Sequence, residues 1–232
     1  MQVALVTGGN SGMGYEVVRQ LAQDGMTVYL ASRDRDKGIT AASELSGAGD
    51  VRPVRLDLAD EASMRAAIAR IEEEQDRLDL LVNNAGVALA GNSPDIIATV
   101  FQANLHGPVL LTQLCVPLLR KSKAGRVVNV SSGAGRFSFL ASDYLKMNPE
   151  QLYYAYPISK TALNGATVML AKSLEQDGIR VNACCPGRVA TKLSGMQGKT
   201  PAEGAAIIVS VANMSAHGPT GGFYDETGKI DW

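Results

Sequence analysis

Tyr156 and Lys160 lie four residues apart, with Pro157 directly after the tyrosine. If Pro157 sits in the first turn of a helix, where its missing N–H costs little, the two side chains share one face and can point into the same crevice. A free phenol titrates near pH ~10, and a neighbouring ammonium favours its ionised form. Lowering that pKa by two or three units represents roughly 3 to 4 kcal/mol of differential stabilisation, the effect asked of Lys160 together with a bound positive charge. Such a phenol suits proton transfer to an oxygen that gains negative charge, as when hydride adds to a carbonyl carbon. Ser132, at the end of a strand-like run, offers a second hydrogen bond to that oxygen. Each residue also has an ordinary alternative: packing for Tyr156, a solvated helix position for Lys160, a strand end for Ser132. Tyr153 and Tyr154 compete with Tyr156 but have no lysine four residues on.

A second cluster, Val6-Thr7-Gly8-Gly9-Asn10-Ser11-Gly12-Met13-Gly14, follows a strand and opens a helix. Glycines there let the backbone turn sharply and approach a pyrophosphate at the helix N-terminus, although the Gly8, Gly12, Gly14 spacing is not G-x-G-x-x-G. Strand two ends Tyr29-Leu30-Ala31-Ser32-Arg33, where an NAD-binding chain would place an acid against the ribose 2′-hydroxyl. The acid is missing, and Arg33 offers a planar fork suited to a 2′-phosphate, which favours NADPH. The alternative is a solvated arginine in the run Arg33-Asp34-Arg35-Asp36-Lys37, whose Asp34 tempers the local field. Asp57, ahead of Leu58, is either an acceptor for an adenine amino group or a cap or turn residue. Asn83-Asn84-Ala85-Gly86 ends strand four, where its backbone can line the crevice, or it is a simple turn.

These residues need a scaffold, and the chain supplies β-rich runs at Val3 to Thr7, Thr27 to Ala31, Val51 to Leu56, Leu78 to Val82, Arg126 to Val130 and Ile179 to Ala183. Helical patterns fill the gaps, and several runs are apolar nearly throughout, as in strands covered on both faces. The expectation is one α/β domain over residues 1–232: a three-layer, Rossmann-like fold with a doubly wound parallel sheet of about seven strands. Gly25 and Gly178 fall where helix ends precede strands, Pro201 opens a helix to about Met214, and Gly221 to Tyr224 offers a last edge strand. Gly133 to Leu152, with Phe137, Phe139, Leu140 and Tyr144, carries more apolar weight than a passive linker and reads as a substrate-side insertion. Val189 to Lys199 reads as a mobile lid or an ordinary surface loop.

With 46% hydrophobic and 19% charged residues, the chain can bury a sizeable core. A net charge of −1 excludes the basic footprint of a nucleic-acid binder. No apolar run reaches membrane-span length, and the first strand follows Met1 directly, so no membrane partner and no targeting segment are expected. Cys115, Cys184 and Cys185 make a poor disulfide framework, which points to the cytoplasm; Cys184 and Cys185 read as structural thiols with no catalytic role. His106 and His217 show no ligand spacing, and no metal is expected. Residues 109–119 and 163–174 are apolar enough to pair helices in a homo-oligomer, or simply to cover the sheet of a monomer.

Together these motifs resemble the short-chain dehydrogenase/reductase family over nearly the whole chain: Thr7 to Gly14 match its nucleotide signature and Asn83 to Gly86 its central one. Asn104, Ser132 and Tyr156-Pro157-Ile158-Ser159-Lys160 fall where the family keeps its catalytic Asn, Ser, Tyr and Lys, and Pro186-Gly187-Arg188-Val189-Ala190-Thr191 looks like its nicotinamide-side loop. Within the family, Leu5 to Asn10, Val127 to Ser132, Val181 to Gly187 and Trp232 look most like the NADPH-using carbonyl reductases. The resemblance selects Ser132 over Ser131, gives Lys160 the nicotinamide ribose, and makes Asn104, otherwise a kink or cap residue, the holder of a water that relays protons. The cofactor set then comprises Gly8, Asn10, Ser11, Gly12, Met13, Gly14, Arg33, Asp57, Leu58, Asn83, Ala85, Gly86, Tyr156, Lys160, Pro186, Gly187, Val189 and Thr191. The implied reaction is NADPH-dependent, reversible reduction of a small ketone or aldehyde to an alcohol. The alternatives are an NAD-dependent alcohol or sterol-type dehydrogenase, and an NADP(H)-sensing protein that has lost turnover.

Overall fold

Along the first strand, β1 (Val3–Thr7), side chains alternate between two separate apolar layers: Ala4 and Val6 pack on one face, Val3 and Leu5 on the other. Both faces of the sheet are therefore covered, which is why the strand is apolar throughout rather than alternating. The computed structural model describes residues 1–142 and 153–232. In it β1 is followed by α1 (Gly12–Gln23), β2 (Thr27–Ser32), α2 (Arg35–Glu44), β3 (Val51–Arg55), α3 (Glu61–Gln75), β4 (Leu80–Asn83) and α4 (Pro94–Phe101). A π-helical turn, Gln102–His106, leads into α5 (Gly107–Leu119), then β5 (Arg126–Val130), α6 (Phe137–Leu140), α7 (Ala155–Leu174), β6 (Arg180–Cys184), α8 (Pro201–Ala212), β7 (Phe223–Asp225) and β8 (Gly228–Ile230).

The strand order is 3-2-1-4-5-6-7-8, parallel from β3 through β7. Helices α1, α2 and α8 cover one face through Val17, Leu21, Ala41 and Ile208; α3, α5 and α7 cover the other through Met64, Ile71, Leu111 and Leu174. Each fully buried Val, Leu, Ile or Met side chain in those layers stabilises the fold by about 1.5–3 kcal/mol relative to exposure. The order reverses between β1 and β4, and a doubly wound sheet opens its ligand crevice at such a reversal, beyond the carboxyl ends of the strands.

Among the described residues the sheet has eight strands, against the expected seven or so. Asp225 Oδ1 accepts from the Thr227 backbone N–H at 2.8 Å, and Gly228 at φ +114 completes a two-residue turn, so β8 folds back antiparallel on β7. Trp232 stacks on Phe223, with ring centroids 5.2 Å apart. Of the insertion from Gly133 to Leu152, the first part forms a 3-10 turn (Gly133–Gly135) and the four-residue α6; residues 143–152, Tyr144 among them, lie outside the described residues. No helix among the described residues is long and apolar enough to cross a membrane.

Candidate active site

Helix α7 begins at Ala155 and carries Pro157 in its first turn, so Tyr156 and Lys160 do share a face. Both line a cleft of about 770 Å3 together with Ser132, Pro186, Gly187 and Val189. Lys160 is buried, and its Nζ donates to the Val130 carbonyl at 2.8 Å while standing 5.9 Å from the centroid of the Tyr156 ring. Burial pushes the Lys160 ammonium down to about 8. The Tyr156 phenol is held above its ordinary range, chiefly by burial and also by Cys185, against a hydrogen bond from Ser132 that favours the ionised form. The lysine bonds a carbonyl rather than the phenol, and desolvation disfavours both charged forms, so the lowering expected of Lys160 together with a bound positive charge is not supplied by Lys160 alone.

Ser132 ends the segment after β5, and its Oγ accepts from Ala134 N–H at 3.2 Å. Ser131, its rival in the sequence, and Asn164, which sequence reasoning missed, hold it to α7. Ser131 Oγ donates to Asn164 Oδ1 at 2.5 Å, and Asn164 Nδ2 donates to the Gly135 carbonyl at 3.2 Å. Asn164 sits one turn beyond Lys160 and looks in sequence like any polar helix residue.

Asn104 lies in the π-helical turn, fully buried. Pro108 follows four residues later and has no N–H to give the Asn104 carbonyl, so a regular helix cannot pass through this point. The Asn104 side chain accepts from Val87 N–H at 2.8 Å and donates to the Val87 carbonyl at 2.9 Å and to Ser159 Oγ at 3.0 Å. Ser159 in turn donates to the Tyr156 carbonyl at 2.7 Å, tying Asn104 to the first turn of α7. Asn104 stands behind the cleft wall: a methyl group added at Gly86 would lie 3.0 Å from its Oδ1 and 3.5 Å from Lys160 Nζ.

A second cleft of about 780 Å3 meets the first at Met13, Asn84, Gly86 and Thr191. Gly8, Asn10, Ser11, Gly12 and Gly14 line its floor, with Arg33, Asp57 and Leu58 at one end and Ala85 beside the floor. The lining fits a dinucleotide. A methyl group on Gly14 would overlap the Gly8 carbonyl, and Gly8 and Gly12 have φ of +66 and +56, so the backbone is bare where a pyrophosphate must approach. The first turn of α1 has neither a side-chain cap nor an acidic residue, leaving its N–H groups to a phosphate. Asp57 is a turn residue, its Oδ1 accepting from Ala59 N–H at 3.0 Å, while Asp60 caps α3.

One assignment shifts by a residue. Asn83 lines neither cleft; it is buried below the strand end, where its Nδ2 donates to Asn129 Oδ1 at 2.8 Å and Thr112 Oγ1 at 3.1 Å. Asn84 is the cleft residue, with Nδ2 donating to the Thr7 carbonyl at 2.8 Å, which fastens the glycine loop to the end of β4. Two successive residues of a strand face opposite sides, so a one-residue choice exchanges core for crevice. The thiols divide likewise. Cys184 is buried, but half-buried Cys185 lines the first cleft and its Sγ accepts from Gly133 N–H at 3.0 Å, which corrects its reading as a buried structural thiol.

The 189–199 segment crosses the junction of the clefts. Val189 and Lys199 bridge its base, and Thr191 Cγ2 would contact a methyl at Gly12 at 3.3 Å. Among the described residues no group of three or more His, Cys, Asp or Glu is placed to hold a metal.

A family profile described as short chain dehydrogenase matches residues 2–202. A bovine protein named dehydrogenase/reductase SDR family member 13 is 38% identical over 83% of this chain, which spans about half (52%) of that protein's length. Salutaridine reductase from Papaver bracteatum is 29% identical over 97% of this chain and 94% of its own. Among solved structures, an NADPH-bound carbonyl reductase from chicken fatty liver superposes with a TM-score of 0.87 at 26% identity, covering 100% of both chains. The Pseudomonas aeruginosa RhlG/NADP complex reaches 0.82 at 30% identity, covering 97% of this chain and 94% of that one. By its sequence, its sheet order and its site, the chain belongs to the short-chain dehydrogenase family of oxidoreductases.

Proposed function

We propose that the chain reduces a ketone or aldehyde to an alcohol with NADPH, using Tyr156 as the acid. The observation that carries this reading is the shared wall at Gly86, where the glycine-floored cleft meets the one holding Tyr156, Ser132 and Lys160. When bound, the reduced nicotinamide supplies a hydride, and with it two electrons, to the carbonyl carbon. The residues manage the charge that develops on oxygen: Ser132 donates a hydrogen bond to it, and Tyr156 gives up its proton to form the alcohol. A phenol held above its ordinary pKa stays protonated at neutral pH, the form a reductase needs. Lys160, positioned by Val130, offers a positive charge to the tyrosinate left behind and a donor to the nicotinamide ribose. Asn104, fixed by Val87 and Ser159, backs a route by which that tyrosinate regains a proton from water.

NADPH rather than NADH is supported by Arg33, which is exposed at the end of the nucleotide cleft and makes no ion pair among the described residues. The Asp34 carboxylate is occupied by Asp36 and Lys37 N–H groups and by Lys37 Nζ at 3.3 Å, so it does not neutralise Arg33. The NADPH and NADP named in the similar structures agree with this choice. Turnover is tested by following NADPH absorbance over a panel of ketones and aldehydes, with Tyr156→Phe alongside. Consumption by the wild-type chain that falls about 100-fold or more in the mutant is expected; undiminished turnover in the mutant overturns the mechanism.

A further inference from the structure

The substrate-side cleft is lined by three cationic side chains, Arg136, Lys160 and Arg188, and among the described residues by no Asp or Glu. Two of the three have protein acceptors: Lys160 bonds Val130, and Arg188 Nη2 donates to Gln197 Oε1 at 2.5 Å. Arg136 does not. Its Nε is buried without an acceptor, and its guanidinium makes no hydrogen bond or ion pair with any described residue. The Arg136 charge is among the causes that hold the Asp225 carboxyl low, but no hydrogen bond or ion pair joins the two, and Asp225 Oδ1 accepts from Thr227 N–H at 2.8 Å and from Thr227 Oγ1 at 2.6 Å. Among the described residues this permanently charged fork, in a partly desolvated wall, has no acceptor, which leaves its outer N–H groups to solvent or to an anionic ligand in the cleft.

Resting on the reductase reading above, we infer that the preferred substrate carries a carboxylate besides its reacting carbonyl, and that Arg136 anchors that carboxylate. Guanidinium and carboxylate pair through two parallel N–H···O bonds, so the anchor fixes orientation as well as affinity. Its place in the chain suits that role. Arg136 follows directly on the 3-10 turn that begins after Ser132, and its backbone N–H donates to the Gly133 carbonyl at 3.2 Å. One rigid turn thus carries both the donor for the carbonyl oxygen and the clamp for the far end of the substrate.

Two probes with the same aldehyde and opposite charge character test the inference: 4-formylbenzoate and its methyl ester. The wild-type chain is expected to favour the acid by about tenfold or more in kcat/KM, and Arg136→Met to bring the ratio of acid to ester near one. Arg136→Lys, which keeps the charge and loses the fork, falls between. Where Arg136→Met does not fold, Arg136→Gln takes its place. A wild-type ratio at or below one, or a ratio unchanged in the Met or Gln variant, overturns the anchor. If neither aldehyde nor any other carbonyl consumes NADPH, the reductase reading fails by itself. The anchor is then decided by calorimetric titration with benzoate, which cannot be reduced. Weaker binding to Arg136→Met by about tenfold supports it, and equal binding or none to the wild type overturns it.

Discussion

The Lys160 ammonium stands 5.9 Å from the centroid of the Tyr156 ring, yet its hydrogen bond goes to the Val130 carbonyl at 2.8 Å. The pair is therefore coupled through space, over the aromatic ring, and not by a shared proton. Val130 ends β5, so the sheet itself sets where the charge sits relative to the phenol. Desolvation acts on both groups toward their neutral forms, raising Tyr156 and bringing Lys160 down to about 8.

The pH dependence of reduction follows from that pair. Tyr156 is the acid and must be protonated, which its raised pKa secures through mildly alkaline pH. Lys160 must be charged to stabilise the tyrosinate that forms, and it loses its proton near 8. The kcat/KM for carbonyl reduction is expected to fall as pH rises through about 8, about tenfold per unit at the limit for a single essential proton. A profile that stays flat to pH 10 would mean that the charge on Lys160 is not required.

The same shift makes Lys160 a cost to the fold. Its pKa when folded, about 8, is below the unfolded value of about 10.4, so below pH 8 both states are protonated and burial of the ammonium is opposed in full. Between those two values the unfolded chain binds more protons, so this contribution rises with pH and the cost is gone above the upper one. Lys160→Met should stabilise the chain at pH 7 by on the order of 1–3 kcal/mol, the Val130 carbonyl having lost its donor, and by progressively less toward pH 10. Denaturant titrations of both proteins at the two pH values measure the difference. A variant less stable than the wild type at pH 7 contradicts the assignment.

Arg33 decides the cofactor. Removing its guanidinium by Arg33→Ala should raise the KM for NADPH by about tenfold or more, as expected for loss of charge-assisted bonds to a phosphate, and leave that for NADH within about twofold. Equal effects on the two cofactors would return Arg33 to the status of a solvated arginine.

How much of this was legible in the sequence depends on the range over which each residue acts. Tyr156, Pro157 and Lys160 are set by one helical turn, and Gly8 to Gly14 by one strand-to-helix turn, so spacing alone brings each group together. Asn164 and Ser159 act across the junction of α7 with the loops after β4 and β5, and nothing in their neighbours along the chain marks them. The eighth strand had a local signal, the Asp225 to Gly228 turn after Phe223-Tyr224, but a strand of three residues with one apolar side chain, Ile230, is hidden by its length. Asn83 is the last residue of β4 and Asn84 the first beyond it, and which of them meets the crevice depends on where the strand ends, which no adjacent residue betrays.

Gly135 is the point at which the serine loop touches the catalytic helix, and it offers the sharpest structural test. A methyl group there would stand 2.8 Å from the Lys160 carbonyl carbon and 2.9 Å from both Lys160 Cβ and Thr161 N, all parts of a packed helix. The helix cannot yield without breaking its own hydrogen bonds, so in Gly135→Ala the loop must retreat, carrying Ser132 and Arg136 away from Tyr156. Displacement of a positioned donor by even about 1 Å costs on the order of 100-fold, so kcat should drop by about tenfold or more. Overpacking should also remove about 1–3 kcal/mol of stability. The glycine floor at Gly8 to Gly14 belongs to the loop after β1 and the first turn of α1 and is untouched, so NADPH affinity should stay within about twofold. Gly165→Ala, on the same helix with open space around the added methyl, is the control and should stabilise by about 0.5–1 kcal/mol without changing kcat. If Gly135→Ala kept full kcat, the loop and helix would have to be more yielding at this contact than their packing allows.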